Sequence, residues 1–452
     1  MRLDFERVHL VGAGGAGMSA IAKVLAGMGH VVSGSDQRGG STLDRLEDFG
    51  ITTHTGHQPD LARAADLVVA SSAVPDTDPE LAGAREAGVP VWRRPELLAA
   101  LTRGTRTIGA TGTHGKTTTT ALLVSALRAL DEDPSFIVGG DLADWNTNGH
   151  HGSTPLLVIE ADEAFRTFEM LDLAGLVVTN VEIEHVEHFG TDADLMDAFV
   201  GVARGVDGPV AACLDDAGSR EVARRSGAVT YGTGEEADWR IRDLTNDNGG
   251  TRFDLTGPGA RAHVSLARPG AHVARNAAGA LALLGTMGWD IEAAAAGLAT
   301  FRGVGRRWEH RGTISDVTLV DDYAHHPTEV AATVEVAREL ARGKLWAVFQ
   351  PHLYTRTARF HDEFGEALSV ADEVVVTDVY GSREEPVPGV TGAMVAEAVE
   401  RHGGRAHYVP HRSDLADFLA GRVSSGDLVL TMGAGDITLV PTELAMLLAE
   451  RR

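Results

Sequence analysis

Residues 108–120 constrain the fold of this chain more than any other stretch. They read as an apolar strand, a glycine-rich turn and a Lys-Thr pair that opens a helix rich in alanine and leucine. This order is typical of a loop that closes its backbone N–H groups around a phosphate at a helix start. Lys116 would then reach the β- and γ-phosphates, and the Thr117 hydroxyl would bind Mg²⁺. The first glycine of the general pattern is Ala110 here, so an ordinary glycine-rich turn is the alternative.

Composition narrows the class of protein. A chain of 452 residues predicts about three domains. A formal charge of -24 argues against a nucleic-acid partner, whose phosphates need Lys and Arg contacts. Cys213 is the only cysteine, which excludes an intramolecular disulfide and a cysteine-based zinc site. With no signal peptide and no membrane-length apolar run in the sequence, we expect a cytoplasmic protein without a membrane partner.

A second glycine-rich turn lies near the N-terminus. A strand at 8–11 leads into a complete G-x-G-x-x-G, then a helix at 18–28 and a strand at 31–36. This context predicts a site for a nucleotide diphosphate, with an acidic residue about twenty positions on to hold a ribose hydroxyl. Ser71 and Ser72 follow a further strand, where turn chemistry is an equal alternative to ligand contact. The candidate binding residues are Gly12, Gly14, Gly15, Gly17, Ser35, Asp36, Ser71 and Ser72.

Two strands in the middle of the chain end in acidic and imidazole groups. Residues 155–159 run into Glu160, and residues 175–178 run into a segment that reaches His185. Ligands sit at the carboxyl ends of parallel strands, so these groups could complete a Mg²⁺ site with Thr117. Glu160 is the expected ligand because a hard cation prefers oxygen. His185 alone could equally be a hydrogen-bonded surface histidine.

Other polar residues of the middle region leave two interpretations open. Asn276 stands before an alanine-rich segment, where it would be either a helix N-cap or a nucleotide contact. Arg306 and Arg307 lie in a glycine turn and would contact a phosphate or ribose, unless they are solvated surface arginines.

The last third repeats the pattern of apolar strands that end in polar clusters. Strands at 317–320, 345–349, 373–376 and 428–430 run into segments rich in histidine, tyrosine, aspartate and arginine. We therefore expect another doubly wound sheet, with function at its strand ends.

These segments together resemble the Mur ligase family. The resemblance covers nearly the whole chain in order, and the segments at 321–329 (DDYAHHPTE) and 350–357 (QPHLYTRT) are its most specific parts. It implies an α/β protein of three domains: a Rossmann-like UDP-sugar-binding domain at 1–104, a central P-loop-like ATPase with a mostly parallel sheet at 105–310, and a Rossmann-like amino-acid-binding domain at 311–452. The first glycine loop would then hold the diphosphate of a UDP-sugar rather than NAD.

Within the family, the match is to ligases that attach L-alanine to UDP-N-acetylmuramate during peptidoglycan precursor synthesis. The resemblance implies that ATP phosphorylates the muramoyl carboxylate and that the alanine amine attacks the acyl phosphate. It implies small-molecule substrates (UDP-N-acetylmuramate, L-alanine and ATP), Mg²⁺ or Mn²⁺ as cofactor, and a monomer or homodimer.

The resemblance also implies roles for individual residues. The implied metal ligands are Thr117, Glu160 and His185. The implied ATP contacts are Gly112, Thr113, His114, Gly115, Lys116, Thr117, Thr118, His272, Asn276, Arg307 and Asp322. The implied amino-acid contacts are Tyr323, His325, His352 and Arg356. The implied catalytic residues are Lys116, Glu160, His185, His325 and Arg356.

The chain departs from the family pattern at a few positions. Ala164 and Phe165 replace a Ser-Asp pair, and Val273 and Leu353 replace an asparagine and, in some relatives, an arginine. The alternatives are a recycling ligase that attaches a whole peptide, an NAD-dependent oxidoreductase built on the first glycine loop, and a nucleotide-binding protein that has lost catalysis. No lysine lies near Phe199, where sister ligases usually carry one, which favours the alanine-adding type.

Overall fold

Three β-sheets with flanking helices make up the chain. The computed structural model describes residues 3–182, 189–247, 249–382 and 384–450. The chain divides into two compact units. The first comprises Met1–Asn246, Thr251–Ala267 and Ala271–Arg302, and the second comprises Asp247–Gly250, Arg268–Gly270 and Gly303–Arg452.

The first sheet is fully parallel, with strand order β3-β2-β1-β4-β5. Its strands are β1 (Arg7–Val11), β2 (Val31–Asp36), β3 (Thr52–Thr55), β4 (Leu67–Ala70) and β5 (Val91–Arg93). Its helices are α1 (Ala16–Gly27), α2 (Ser41–Asp44), α3 (Pro59–Ala64), α4 (Pro79–Glu86) and α5 (Arg94–Thr102). The order reverses at β1, so the glycine loop after this strand lies at the switch point where open α/β sheets bind ligands.

The second sheet has ten strands in the order β15-β14-β13-β12-β11-β10-β6-β9-β7-β8. Its strands are β6 (Arg106–Thr111), β7 (Ser135–Leu142), β8 (Thr147–His150), β9 (Leu156–Glu160), β10 (Gly175–Val178), β11 (Val210–Cys213), β12 (Val229–Gly232), β13 (Trp239–Asp247), β14 (Gly250–Gly257) and β15 (Ala260–Leu266). Its helices are α6 (Lys116–Ala129), α7 (Asp192–Gly205), α8 (Ala217–Ser226), α9 (Ala271–Thr286) and α10 (Ile291–Leu298).

Parallel pairing in this sheet brings the predicted site strands side by side. β6 lies between β9 and β10, and both pair with it in parallel. The hairpins β7–β8 and β14–β15 are antiparallel. The second hairpin is formed by a polar, glycine-containing part of the sequence.

The third sheet is formed by the second unit, with strand order β16-β17-β21-β18-β19-β20. Its strands are β16 (Glu309–Ile314), β17 (Val317–Asp322), β18 (Leu345–Phe349), β19 (Glu373–Val376), β20 (Ala406–Tyr408) and β21 (Leu428–Met432). Its helices are α11 (Pro327–Leu340), α12 (Tyr354–Leu368), α13 (Ala393–Arg401), α14 (Leu415–Ala420) and α15 (Val440–Glu450). All of its described pairs are parallel except β16–β17.

The first two sheets share one hydrophobic core within the first unit. Ile21 and Leu25 of α1 are fully buried, in one cluster with Ile137 of β7 and Leu157 and Ile159 of β9. Polar contacts reinforce this packing, because the buried Lys23 of α1 donates to Asn148 Oδ1 on β8 at 2.8 Å. Helix α1, which follows the first glycine loop, is therefore held directly against the central sheet.

The three-domain α/β fold class predicted from the sequence is confirmed. The exact domain boundaries at 104/105 and 310/311 stay a prediction. Two local expectations change: α1 begins at Ala16 rather than Met18, and β17 extends through Asp322. No helix in the described part of the chain is long and apolar enough to cross a membrane.

Candidate active site

The first glycine loop connects β1 to α1. Gly12 has φ +82°, and the N–H groups of Gly12 and Ala13 both donate to the Ser35 carbonyl at 2.9 Å. The N-cap Gly15 offers no side chain to accept a helix N–H. The first N–H groups of a helix have no intrahelical partners, so this uncapped start can bind an anion.

Asp36 holds this loop in a way the sequence did not reveal. Its Oδ2 accepts from Gly14 N at 3.0 Å, and its Oδ1 accepts from Arg38 N at 3.0 Å. A Cβ atom on Gly14 would lie 2.9 Å from Asp36 Oδ2, which explains why glycine stands there. Asp36 thus contacts the loop itself in this structure, and its predicted contact with a ribose stays a prediction.

Ser35, Ser71 and Ser72 lie at the same sheet edge. The Ser35 hydroxyl donates to the buried Glu80 carboxylate, at 2.9 and 2.8 Å from its two oxygens. Ser71 lies beside Gly12, where a Cβ on the glycine would be 3.0 Å from Ser71 Cβ, and its carbonyl accepts the turn hydrogen bond from Val74 N at 3.0 Å. The Ser72 Oγ is buried and has no hydrogen-bond partner among the described residues. Ser71 thus lies beside the loop, where its Oγ also accepts from Ala73 N at 3.4 Å. Ligand contact by Ser71 and Ser72 stays a prediction.

The phosphate loop, residues 110–117, is clamped by the residues after β10. Thr113 N donates to the Asn180 carbonyl at 3.0 Å, and His114 N donates to Asn180 Oδ1 at 2.8 Å. Gly112 has φ +132°, and a Cβ atom there would lie 2.1 Å from Thr179 Oγ1. Only glycine fits this close approach. The buried Thr113 side chain also accepts from Glu182 N at 2.8 Å, so the loop is shaped before any ligand arrives.

Lys116 points into this loop and onto an acidic partner. Its Nζ donates to the Gly112 carbonyl at 2.6 Å and to the two Glu163 carboxylate oxygens at 3.0 and 2.9 Å. Glu163 is only 2% exposed. Burial lowers the pKa of Lys116, but the Glu163 carboxylate and other nearby acids outweigh it and raise that pKa above its usual range. The lysine is therefore positively charged at every physiological pH.

Thr117 and Glu160 lie together, as predicted for metal ligands. A Cβ atom on Gly139 would be 2.9 Å from Glu160 Oε1 and 3.3 Å from Thr117 Oγ1, so both side chains converge on this glycine. Glu160 Oε1 accepts from Gly139 N at 2.5 Å. Burial raises the pKa of Glu160, partly offset by this hydrogen bond and by the Thr117 hydroxyl. A half-buried carboxylate beside a hydroxyl fits a hard divalent cation. His185 lies outside the described residues.

Asn276 approaches the phosphate loop from within a helix. Helix α9 begins at Ala271, so the interpretation of Asn276 as an N-cap is wrong. The alanine-rich pattern extends toward the N-terminus through His272, which lies in the first turn. Asn276 is buried, and a Cβ on Gly115 would lie 2.8 Å from its Oδ1. Gly115 also has φ +82° and is the uncapped N-cap of α6, and the half-buried Thr118 lies in the first turn of that helix.

The predicted amino-acid-binding residues form a cluster within the second unit. The rings of Tyr323 and His325 are 5.1 Å apart, and those of His325 and His352 are 5.9 Å apart. Arg356 Nη1 lies 3.4 Å from His352 Nδ1. We call Tyr323, His325, His352 and Arg356 the aromatic–basic cluster. They come from the ends of β17 and β18 and the start of α12, as the strand-end pattern predicts.

Two arginines flank Tyr323 and have different partners. The Cζ atoms of Arg306 and Arg307 lie 4.9 and 4.8 Å from the centre of the Tyr323 ring. Arg306 Nη2 donates to the carbonyls of Gly433 and Gly435 at 2.6 and 3.1 Å, which gives this arginine a structural role. Arg307, the predicted ATP contact, lies 3.7 Å from Glu329.

Asp322 is buried at the end of β17. Its two carboxylate oxygens accept from Trp308 N at 2.6 Å and Ala324 N at 2.8 Å. Burial raises the pKa of Asp322 to about 6, against the lowering effect of Arg307. A buried carboxylate held by backbone donors on both oxygens is a rigid acceptor for a ligand hydroxyl or for a nearby cation.

Comparison with protein families identifies all three parts of the chain. The model described as "Mur ligase family, catalytic domain" matches residues 7–106, "Mur ligase middle domain" matches 110–284, and "Mur ligase, glutamate ligase domain" matches 306–435. The chain belongs to the Mur ligase family.

Relatives of this Mur ligase agree over nearly the full length. The UDP-N-acetylmuramate–L-alanine ligase of Kineococcus radiotolerans is 46% identical over 457 residues, which cover 98% of this chain and 97% of the relative. That of Acidothermus cellulolyticus is 45% identical, with 96% and 93% covered. The crystal structure of the UDP-N-acetylmuramate–alanine ligase of Thermotoga maritima has a TM-score of 0.86 at 29% identity, with 99% of this chain and 100% of that chain covered. A murein peptide ligase of Psychrobacter arcticus shares the fold, with a TM-score of 0.71 at 22% identity and 98% and 99% covered.

Some site residues of this Mur ligase were not singled out from its sequence. Glu163 and Asn180 lie in segments that the strand-end pattern marked, yet their contacts with Lys116 and the phosphate loop depend on loop conformation. Gly139, whose N–H donates to Glu160, lies in the middle of β7, and nothing in the sequence pattern indicates a role for it. Ala164 and Phe165 depart from the family pattern. The backbone at Phe165 and Arg166 is left-handed, with φ +55° and +54°.

Proposed function

We propose that this Mur ligase joins L-alanine to the carboxylate of UDP-N-acetylmuramate at the expense of ATP. The observation that carries the proposal is identity of 41–46% to several ligases of that name, over 96% or more of this chain. The geometry supports it because the first unit contains two uncapped helix starts behind glycine loops, one for each phosphate-bearing substrate.

The reaction is balanced by two successive transfers. The muramoyl carboxylate oxygen attacks the γ-phosphorus of ATP, which gives an acyl phosphate and ADP. The alanine amine then attacks the acyl carbon, loses a proton, and the tetrahedral intermediate expels inorganic phosphate. The protein must align these groups, stabilise the charge on the transferred phosphoryl group and keep water from the acyl phosphate.

The residues of the phosphate loop would supply the charge stabilisation. Lys116 carries a permanent positive charge in this loop, and the N–H groups at the start of α6 point the same way. Thr117 and Glu160 would hold Mg²⁺ or Mn²⁺, with His185 as the third ligand implied by the family. The bound cation neutralises charge on the phosphate oxygens. Asn276 beside Gly115 would contact the nucleotide.

The aromatic–basic cluster would bind the amino acid. The planar guanidinium of Arg356 suits a bidentate contact with the alanine carboxylate. His325 Nδ1 donates to the Tyr323 carbonyl at 3.0 Å, which orients the ring within the cluster. With the proton on Nδ1, Nε2 is the basic nitrogen of the neutral ring and would accept from the alanine amine.

The test is ATP-dependent phosphate release with UDP-N-acetylmuramate and, separately, L-alanine, glycine, L-serine or a stem tripeptide. The proposal expects the highest kcat/KM with L-alanine, together with a product that is heavier by one alanine residue. Turnover with the tripeptide alone would establish a recycling ligase instead. NADH binding that UDP-sugar does not displace would favour an oxidoreductase, and no ATP hydrolysis with all substrates present would indicate lost catalysis. The oligomeric state stays a prediction.

A further inference from the structure

Arg94 contacts both the helix that follows the first glycine loop and the segment after β9 of the central sheet. It is the first residue of α5 and follows directly on β5, which joins β1 in the same parallel sheet through β4. The carboxyl ends of β1 and β5 therefore lie at one edge. A Cβ atom on Gly17 would lie 2.7 Å from Arg94 Nη1, so the guanidinium rests directly on the first turn of α1.

This contact explains the third glycine of the first loop. A side chain at position 17 would displace the guanidinium, whereas glycine lets it pack against the helix backbone. The arrangement places a full positive charge beside the positive end of a helix dipole, which is unfavourable unless an anion lies between or beside them. The start of α1 has no capping side chain to supply one.

The protein offers Arg94 only a weak acidic partner. Within the part of the chain that the structure describes, the Arg94 side chain makes one hydrogen bond, from Nη2 to Asp162 Oδ2 at 3.4 Å. Charge-assisted bonds of this type are normally 2.7–2.9 Å long. The neighbouring Arg93 differs, because it donates to the Val74 carbonyl at 2.7 Å and to Asp76 at 2.6 Å. The Arg93 side chain is therefore held by protein acceptors, whereas the Arg94 guanidinium makes only the one long bond to Asp162.

Asp162 lies two residues after Glu160, the predicted metal ligand, and one residue before Glu163, the partner of Lys116. Arg94 therefore contacts both the start of α1, which follows the diphosphate-binding loop, and the segment after β9 that holds the predicted phosphoryl-transfer residues.

We propose that Arg94 binds an oxyanion of the sugar nucleotide, either its diphosphate or its muramoyl carboxylate, and so positions the acceptor for phosphoryl transfer. The inference rests on the proposed function and adds a residue to its substrate site. Arg94 exchanges the long contact with Asp162 for a bidentate contact with the substrate oxyanion. No covalent step is assigned to it.

The experiment measures dissociation constants by calorimetry for UDP-N-acetylmuramate and for UDP-N-acetylglucosamine, which has the diphosphate but no carboxylate. Loss of a charged bidentate contact should weaken binding about 10- to 100-fold in Arg94→Gln. Weaker binding of both ligands assigns Arg94 to the diphosphate, and weaker binding of UDP-N-acetylmuramate alone assigns it to the carboxylate. Unchanged affinity for both would overturn the role.

Two control variants separate substrate binding from a structural role. Arg63→Gln, in an exposed pair with Asp60 and Glu86 on the first sheet's helices, should leave both affinities unchanged. Asp162→Asn removes the ion pair but keeps Arg94, so it should not weaken binding. If Asp162→Asn weakens sugar-nucleotide binding as much as Arg94→Gln does, the ion pair only stabilises the fold and the proposal is overturned. Should Arg94→Gln not fold by circular dichroism, Arg94→Lys keeps the charge without the fork and is expected to weaken binding about 3- to 10-fold.

The same measurement separates this role from the proposed function. A wild-type chain that binds neither sugar nucleotide would overturn both. A wild-type chain that binds UDP-N-acetylmuramate, with unaltered binding by Arg94→Gln, would overturn the role of Arg94 alone.

Discussion

Lys116 Nζ is bound to both carboxylate oxygens of Glu163, at 3.0 and 2.9 Å, and to the Gly112 carbonyl at 2.6 Å. The Thr113 carbonyl lies 3.2 Å from the same Nζ, so four acceptors share the three N–H donors of the ammonium group. A phosphate can bind Lys116 only after at least one contact is released. Glu163 thus competes with a nucleotide phosphate for the lysine.

We expect Glu163→Gln to bind the ATP analogue AMP-PNP more tightly than wild type. A neutral amide holds the ammonium less strongly than a carboxylate does, so its release costs about 1 kcal/mol less and affinity rises about fivefold. The change is measured by calorimetry in the presence of Mg²⁺. Because removing any nearby negative charge also favours ATP, the same substitution is repeated in a Lys116→Met background. An equal gain there would show that Glu163 acts through general electrostatics and not through Lys116.

Lys116→Ala should abolish phosphate release while binding of UDP-N-acetylmuramate persists. The lysine is the one cation that the described phosphate loop directs inward, so its loss removes stabilisation of the transferred phosphoryl group. Binding of the sugar nucleotide depends on the separate loop at α1. Turnover at the wild-type rate, measured with all three substrates, would contradict the assignment.

Glu160→Gln should raise the Mg²⁺ concentration for half-maximal turnover at least tenfold. A neutral amide beside Thr117 keeps the hydrogen bond from Gly139 N but loses the charge that attracts the cation. Glu169→Gln is the matched control, because Glu169 pairs with Arg166 through a single-turn contact. A Mg²⁺ profile that coincides with wild type in Glu160→Gln would exclude this carboxylate as a metal ligand.

The sequence predicts the elements and the strand-end clusters because both follow from local patterns. The glycine loops, Lys116 and the acidic residues after β9 follow apolar strands directly in the sequence. A parallel sheet brings the residues that follow its strands to one edge. Contacts between residues far apart in the sequence cannot be predicted from such local patterns. The pairing of Lys116 with Glu163, the clamp of Asn180 on the phosphate loop and the approach of Arg94 to Gly17 depend on how distant loops pack. The interpretation of Asn276 as an N-cap was wrong because asparagine is a common N-cap residue, and the helical residues that precede it were not included in the predicted helix.

Cys213 should react very slowly with iodoacetamide in the folded chain. Burial raises the pKa of its thiol to about 11. At pH 8 only about 0.1% would be thiolate, against roughly 10% or more for an ordinary cysteine, so the reaction slows about 100-fold before steric exclusion is counted. Its rate should rise about tenfold per pH unit up to about pH 11. Mass spectrometry of the folded chain and of the urea-unfolded chain gives both rates; equal rates would contradict the burial.

The raised pKa of the Cys213 thiol also makes the free energy of unfolding depend on pH. The folded chain holds this proton more strongly than the unfolded chain does, so its contribution to stability is complete below about pH 9 and is lost as pH rises toward 11. The difference in unfolding free energy between wild type and Cys213→Ala should therefore shift against the wild type over that range. A difference that does not change with pH would contradict the raised pKa.

Gly149→Ala should weaken the attachment of α1 to the central sheet. A Cβ atom on Gly149 of β8 would lie 2.2 Å from the Ala20 carbonyl oxygen and 2.7 Å from Ala20 Cα, and neither backbone atom can rotate away. Overpacking of this kind costs about 2–3 kcal/mol, and it would also strain the bond from Lys23 to Asn148. Gly201→Ala is the matched control, since no atom lies within 4 Å of its Cβ position and alanine favours the helix Asp192–Gly205. Thermal unfolding should show a lower midpoint for Gly149→Ala and an unchanged or slightly higher one for Gly201→Ala. Because α1 follows the glycine loop, Gly149→Ala should in addition weaken UDP-N-acetylmuramate binding. Equal midpoints and affinities in the two variants would show that the two sheets are not tightly packed through this glycine.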